Sequence, residues 1–506
     1  MTQRRKAAAS VRSRLLVGAM VTAVATTTAC SGGPGAQEPS QSPTTARPVP
    51  SSDLNVLVVV IDDGTDIACR DFDRFMPQTS RLLRDQGTCF ENATASAPTC
   101  APSRAALMTS QMGHNSGAPR QEDARKVDAR HTVQYALTQA GYDTYGTGKY
   151  LNGISSEDVE SGKVETGFMA SDFWGSSKPY GYALWDDETQ SEYVPDDGVH
   201  ATTRTGDFLR SFIASERDSE RPFYAYAAFK APHTDNSATS LNTRMPVATP
   251  ANRDRAVPPF HYDPERDTRD KLPVFRKRLA SRSYYQRLYT ARTRAQYDID
   301  DEMGKTIQAL SDEGELDHTA IFYTSDQGYH LGENGWETKG DPYPSTTDVP
   351  LLAWLPSRFR AGYVDHRAFG VIDIGPTIYD LTGVAPNHRI DGHSMLSRFR
   401  RTGTYSEVVN ETARLNYPKA AYAPGRIPTW SMYRTKRFAY VEFYDKRGRR
   451  LRSEFYRDAD MKKNLLWPGY AAQRPSRQVL ALARKKLARG RTCSGTFEQR
   501  TPNPCP

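Results

Sequence analysis

Cysteine and long apolar runs are both scarce in this sequence, and their scarcity narrows the reading before any motif is considered. There are six cysteines in 506 residues. The mostly apolar run Leu15 to Ala25 is too short and too interrupted to span a bilayer, and no other apolar stretch is long enough to cross one. The body of the chain is therefore expected outside the membrane. A strong charge of one sign is lacking as well: the formal net charge of +8 is modest for this length and reads as a diffuse, solvated excess. It suits an anionic substrate and does not call for nucleic acid. Internal repeats are also missing, which sets aside solenoids and propellers. What is present is 38% hydrophobic and 25% charged residues, enough to bury a large core with room for an enzyme.

The first thirty residues follow the plan of a bacterial export signal. Arg4, Arg5, Lys6, Arg12 and Arg14 precede the apolar run, and small residues lead into Cys30. Thr27-Thr28-Ala29-Cys30 resembles a lipobox, with Thr27 where such boxes carry an aliphatic residue. Cys30 is thus expected to carry lipid and hold the protein on the extracellular face of a bacterial membrane, with simple secretion as the alternative. Arg4-Arg5 is a hint of twin-arginine export. Residues 31–52 are Gly, Pro, Ser, Thr and Gln with almost no large apolar side chain, a composition that reads as a flexible tether. Cysteine usage fits an oxidising compartment. Cys493 and Cys505 suggest a local disulfide in a Pro-rich tail, Cys69 and Cys89 are either a second pair or two buried thiols, and Cys100 is the odd one.

Leu54 to Ile61 is a continuous aliphatic run of the kind buried on both faces of a parallel sheet, and it ends at Asp62-Asp63-Gly64. Two more such strands, Pro222 to Phe229 and Thr319 to Thr324, also run into chemically capable loops, Lys230-Ala231-Pro232-His233 and Ser325-Asp326-Gln327-Gly328. Helical patterns at Met76 to Asp85, Val133 to Ala140 and Arg294 to Asp312 alternate with them, which predicts a doubly wound α/β sheet whose site lies off the carboxyl ends of its strands. Near Pro424 the texture changes to antiparallel strands, with Asp445-Lys446-Arg447-Gly448 as a hairpin turn and Gln478 to Arg489 as a closing helix. The expected organisation is a leader (1–30), a tether (31–52), a large α/β domain (53–423), a small α+β domain with an antiparallel sheet (424–492) and a tail (493–506).

Pro98-Thr99-Cys100-Ala101-Pro102-Ser103-Arg104 sets a cysteine beside a proline-fixed turn and an arginine, ahead of a helical Ala105-Ala106-Leu107-Met108. Read alone, it is either a half-buried thiol at a helix start or an anion-favouring site at a helix N-terminus near a cation. Cys100-Ala101-Pro102-Ser103-Arg104 also resembles the Cys-x-Pro-Ser-Arg signature of the type I sulfatases of the alkaline phosphatase superfamily. The likeness runs over roughly residues 53 to 470. Met108-Thr109-Ser110-Gln111 replaces that family's Leu-Thr-Gly-Arg, a departure that touches only an auxiliary arginine. The resemblance implies an alkaline-phosphatase-like fold with a central, mostly parallel sheet, and oxidation of Cys100 to formylglycine by a dedicated generating enzyme.

It further implies a metal set of Asp62, Asp63, Asp326, Gln327 and the oxygen at position 100, where Gln327 departs from the usual Asn or His but still offers an amide oxygen. Such an all-oxygen shell prefers Ca²⁺ over Zn²⁺. Lys149, His233 and Lys339 match further family positions, although the Glu expected after Pro342-Tyr343 is missing. In the implied mechanism Arg104, Lys149 and Lys339 grip the sulfuryl oxygens, one hydroxyl of the hydrated aldehyde attacks sulfur, and His233 or Lys339 protonates the leaving oxygen. The second hydroxyl then releases sulfate, with His114 as a candidate base. Ser325 to Gly332 and the Gly148-Lys149-Tyr150-Leu151-Asn152 stretch look most like glucosamine-6-sulfatases and extracellular heparan sulfatases, which would set His330 against substrate. A phosphonate or phosphate monoester hydrolase, and a non-catalytic lipoprotein that binds sulfated glycans, are the competing readings.

Overall fold

Asn-Val-Leu-Val-Val-Val-Ile leaves almost no polar side chain to face water, so a strand of this composition has to be covered on both faces. In the computed structural model all seven residues of that strand, β1 (Asn55–Ile61), are buried. The structure describes residues 52–505 except 155–157, 159–163, 175–181, 187–192, 195–197, 235–244, 266, 276–279, 398–402, 410–426, 446 and 458. The expected leader, the lipid-bearing Cys30 and nearly all of the tether lie outside the described residues. Among the described residues no helix is long and apolar enough to cross a membrane.

Around β1 stand β2 (Thr88–Thr94), β3 (Asp143–Gly148), β4 (Ala170–Trp174), β5 (Tyr182–Asp186), β6 (Tyr193–Val194), β7 (Phe223–Phe229) and β8 (Thr319–Ser325). The strands β9 (His330–Leu331) and β10 (Glu337–Thr338) pair only with each other, and β11 (Leu351–Trp354) and β12 (Tyr363–Gly370) return to the main sheet. That sheet has ten strands in the order β12-β2-β11-β8-β1-β7-β3-β4-β5-β6. β1 lies parallel between β7 and β8, with Val58 level with Tyr226 and Phe322. Only β11 and β5 run against their neighbours.

Because alternate residues of a strand point to opposite faces, β1 feeds two cores. Val56, Val58 and Val60 face Ala101, Ala105 and Met108 of the signature helix Cys100–Thr109. Leu57, Val59 and Ile61 face Leu209 and Ile213 of the helix Ala201–Ser215 and Ala295, Ile299 and Met303 of the helix Arg282–Asp312. That long helix begins twelve residues before the expected Arg294, because the Ser281 side chain caps it by accepting from the Tyr284 N–H and because Tyr284, Tyr285 and Leu288 bury its first turns. Met76 to Asp85, expected as one helix, divides into a turn Pro77–Thr79 and a wide turn Ser80–Arg84. Asp300 holds the Gln78 and Thr79 N–H groups there at 3.0 and 2.8 Å.

A second sheet, wholly antiparallel, contains β13 (Thr404–Val408), β14 (Thr429–Thr435), β15 (Phe438–Tyr444) and β16 (Arg450–Tyr456) in sequence order. Its first strand precedes the change in sequence texture at Pro424. Trp430, Met432, Val441 and Phe443 on one face pack with Phe275, Trp336 and Tyr343. On the other face Tyr433, Tyr440 and Phe455 receive Leu480, Ala483 and Leu487 of the closing helix Arg477–Gly490. Cys493–Cys505 is a disulfide, and so is Cys69–Cys89, which decides between the two readings of that pair. Cys100 is the one free thiol among the described residues.

Candidate active site

Four strand ends meet at one edge of the main sheet. β1 delivers Asp62 and Asp63, the latter with a left-handed φ of 60° that aspartate tolerates better than most residues. Gly64 follows because a Cβ there would stand 2.6 Å from Ser325 Oγ, the atom that accepts its N–H at 2.8 Å. β8 delivers Asp326 and Gln327, and the Asp326 N–H donates to the Ile61 carbonyl at 3.1 Å, locking the two ends together. β3 delivers Lys149 and β7 leads to His233. The Lys149 N–H donates to Ala228 O at 2.8 Å and the Asp62 N–H to Ala231 O at 3.2 Å.

Cys100 opens the signature helix, every residue of which is buried. Pro102 is tolerated because the first turn has no intrahelical donors to lose, and small alanines let the helix settle against β1. The Ala101 N–H is taken by Gln121 Oε1 at 2.5 Å, and Ser103 Oγ donates to the Asp326 carbonyl. Arg104, with no exposed surface, donates from Nε to Asp326 Oδ2 at 2.8 Å and from Nη1 to the Lys149 carbonyl at 2.9 Å and Tyr226 OH at 3.3 Å. It braces the loops that carry the site.

Cys100 Sγ lies 3.0 Å from Lys339 Nζ, 3.4 Å from Gln327 Nε2 and 3.5 Å from Asp62 Oδ1. Lys149 Nζ is 2.6 Å from Asp62 Oδ2, Lys339 Nζ also meets Asp63 Oδ1, and Gln327 Nε2 donates to that same oxygen at 2.5 Å. Lys339 follows Thr338, a β-branched residue held at φ 81°. Asp62, Asp63, Cys100 and His233 offer ligand atoms that all lie within 4.8 Å of one another. Asp326 sits beside this group, with Oδ1 accepting from the Asp63 and Gln327 N–H groups at 3.0 and 2.9 Å.

The donor set fits a cation. Asp63 Oδ2 and Gln327 Oε1 are buried oxygens with no hydrogen-bond partner. His233 Nδ1 donates to the Thr234 carbonyl at 2.7 Å, so Nε2 turns a lone pair toward Asp63 Oδ2 at 3.6 Å. Two acceptors facing each other call for a proton or a metal ion between them. Electrostatics agree: burial pushes the Asp62 carboxyl up, but Lys149, then His233, Arg104 and Lys339, outweigh it and hold it well below the usual range. Burial lowers the His233 imidazole to about 4, against the pull of Asp62 and Asp63. Burial also raises the Cys100 thiol, despite Lys149 and Lys339. An unmodified Cys100 is a neutral thiol and a poor nucleophile.

Of the residues expected at the site, Asp62, Asp63, Cys100, Arg104, Lys149, His233, Asp326, Gln327 and Lys339 come together. His330 is fully buried with Nε2 on Asp341 Oδ1 at 2.9 Å, a packed position rather than an open one. His114 has both ring nitrogens engaged, by Glu407 Oε1 at 2.7 Å and the Cys493 carbonyl at 3.0 Å, and it ties the tail to the loop after the signature helix. Arg292 was not legible in the sequence. Fully buried, it donates to the Asp63 carbonyl and, at 3.3 Å, to that of Pro232, joining the β1 and β7 loops.

Residues 54–384 match the Sulfatase family model. An extracellular sulfatase SULF-1 homolog of Drosophila melanogaster is 29% identical over 67% of this chain and 31% of its own length. An N-acetylglucosamine-6-O-sulfatase of Bacteroides thetaiotaomicron is 26% identical over 77% of this chain and 78% of its own. The chain spans less than two thirds of the length of several relatives it matches, 31% of the Drosophila protein and 63% of an N-acetylglucosamine-6-sulfatase of Capra hircus. Among solved structures, a protein in complex with its substrate D-glucosamine-2-N,6-O-disulfate superposes with a TM-score of 0.65, at 21% identity over 86% of this chain and 97% of that one. A phosphonate monoester hydrolase of Agrobacterium radiobacter superposes at 0.63, with 20% identity over 86% and 95%. These two likenesses extend to the fold alone. With a family model covering well over half the sequence and the signature helix seated among paired acids and lysines, the chain belongs to the sulfatase family.

Proposed function

We propose that this protein is a sulfuric ester hydrolase that cleaves sulfate monoesters of a sulfated sugar or glycan, with Cys100 converted to formylglycine and one Ca²⁺ in the acidic cluster. The observation that carries the reading is the placement of Cys100, a buried and neutral thiol at a helix start, ringed by Lys339, Gln327 and Asp62. As a thiol it has no task there. As a hydrated aldehyde it supplies one hydroxyl as nucleophile and a second through which sulfate can leave. Ca²⁺, when bound by Asp62, Asp63, Asp326 and Gln327, supplies Lewis-acid polarisation of an oxygen. Relatives named for N-acetylglucosamine 6-sulfate support the substrate class.

The chain's own residues do the rest. Lys149 and Lys339 set two fixed positive charges over the sulfuryl group, where charge develops in the transition state. Lys339, protonated beside residue 100, is the donor to the leaving oxygen, and His233 presents a lone pair that takes up a proton. Arg104 positions Asp326 and the Lys149 loop. Burial of Cys100 and the carboxylates keeps competing water out. Maturation then needs an enzyme that reads Cys-x-Pro-x-Arg. The two disulfides support an oxidising compartment outside the cytoplasm, with lipid on Cys30 as the anchor or secretion without it.

The test compares hydrolysis, by chain co-produced with a formylglycine-generating enzyme, of N-acetylglucosamine 6-sulfate and 4-nitrophenyl sulfate with that of a phosphonate monoester, 4-nitrophenyl phenylphosphonate, reading sulfate from the sugar ester and 4-nitrophenol from the two nitrophenyl esters. Preference for the sulfates is expected. Preference for the phosphonate moves the protein to the phosphonate hydrolases, and binding without turnover by fully converted chain makes it a glycan-binding protein.

A further inference from the structure

The modest total charge conceals a segregation, so the even spread expected from the total does not hold. Residues 429–506 carry nineteen Lys and Arg against six Asp and Glu, a net +13, which leaves residues 1–428 at −5. From Met461 to Phe497 there is no acidic residue at all, while nine cations occur. Folding does not neutralise them. Seven of those nine, including Arg477, Lys485 and Lys486 on the closing helix, have no carboxylate within ion-pair distance among the described residues, whereas Lys462 is paired with Asp263 and Asp460. The helix turns its apolar stripe inward onto β14 and β15, so these charges form the outer surface of the small sheet.

The same sheet borders a cavity of about 260 Å³ that opens against the edge of the main sheet; its charged lining is Arg367, Arg434, Lys436 and Arg457 against the two carboxylates Glu91, which His366 meets at 2.6 Å, and Asp348. Arg434 is matched by Asp348 and Arg367 by Asp365. Lys436, in the turn between β14 and β15, and Arg457, directly after β16, have no such partner among the described residues. The pairing of Ala439 with Tyr456 brings the two close. No residue of the Cys100 cluster lines this cavity, so its charge serves something other than the reacting group.

We propose that the outer helix and this recess together form a second binding site, a basic track for a polyanionic glycan chain, and that the substrate is a polymer held here while one of its sulfate esters reaches Cys100. The substrate class rests on the sulfate-ester reading above. Cations spread along a helix about 20 Å long are too far apart for one sulfate group and suit the repeating charges of a chain. A recess admits a projecting sulfate or carboxylate, which a flat bilayer surface cannot supply.

The experiment measures binding of a heparin oligosaccharide to the full chain at 0.15 M salt, without turnover. The variant Lys436→Gln/Arg457→Gln/Arg477→Gln/Lys485→Gln/Lys486→Gln is compared with a control that removes the same charge elsewhere, Arg81→Gln/Arg253→Gln/Arg282→Gln/Arg287→Gln/Arg358→Gln. The track variant should bind at least about tenfold more weakly, since it removes five cations whose attraction to a polyanion is only partly screened at this salt. The control should stay within about twofold, and both should keep the thermal midpoint and the 4-nitrophenyl sulfate rate of the parent. Equal losses in the two variants, or stronger binding of the parent to phosphatidylglycerol vesicles than to heparin, overturn the proposal. A chain that binds heparin through the track and hydrolyses no sulfate ester keeps this site and refutes the hydrolase reading, so the two failures are separate.

Discussion

Arg104→Met is the substitution whose effect the geometry fixes best. The methionine keeps most of the side-chain volume but removes a guanidinium that is wholly buried and bound to Asp326, the Lys149 carbonyl and Tyr226. Asp326 is then left ionisable in the interior with only two backbone N–H donors. Breaking one side of a buried pair costs about 3–5 kcal/mol. Asp326→Asn alone should cost less, because Arg104 Nη2 remains 3.9 Å from Asp62 Oδ1. In the double variant Arg104→Met/Asp326→Asn the stranded charge is gone, so its cost should fall short of the sum of the singles by about 1–3 kcal/mol. The assay is denaturant unfolding of all four chains in chelator, which keeps metal binding out of the comparison. Costs that add to within about 0.5 kcal/mol would show that the two side chains do not form one unit, and the bracing role assigned to Arg104 would fall.

Other outcomes follow from the same structure. Asp63→Asn should abolish the calcium-dependent rise in thermal midpoint, a stabilisation of about 2.7 kcal/mol for the parent at calcium a hundredfold above Kd; an undiminished rise would place the ion elsewhere. For His114, burial opposes the charge but the Glu407 hydrogen bond lifts it from 6.5 to about 9. That raised value means stability fully present below pH 6.5 and lost as pH rises through about 9, on the order of 3 kcal/mol shared with Glu407, whose own lowered value makes the contribution fade again in acid. Unfolding of His114→Gln against the parent should thus show a gap at about pH 6 that closes by about pH 9.5, and a constant gap would contradict the pairing. Cys493→Ala/Cys505→Ala opens a loop of twelve residues and should cost about 3 kcal/mol, with faster amide exchange at Met112 to Asn115; unchanged exchange there would mean the tail does not brace that loop.

The strands and the acids at their ends were legible because a run such as Val56 to Ile61 has only one way to be buried, and its first polar residues must then stand at the sheet edge. The signature helix was legible for the same local reason. Residues whose partners are distant in sequence were not. Arg292 precedes the expected start of its helix at Arg294 and has no motif around it, yet it is spent on the Asp63 and Pro232 carbonyls, more than fifty residues away in each case. His330 lies in a motif that pointed to substrate, but Asp341 claims it in the interior. The early start of the long helix was hidden because Tyr284, Tyr285 and Leu288 are buried by neighbouring loops rather than by a regular stripe. The charge segregation was open to counting all along and was masked by the small total.

That residue 100 becomes the nucleophile for sulfate esters is tested by relating turnover to conversion. Samples of the protein with different fractions of formylglycine at position 100, fixed by the mass of the peptide that contains it, are assayed for sulfate released from 4-nitrophenyl sulfate. The expected rate is proportional to the converted fraction and passes through zero for unmodified Cys100. A rate independent of that fraction, or none from fully converted protein with calcium present, would contradict it.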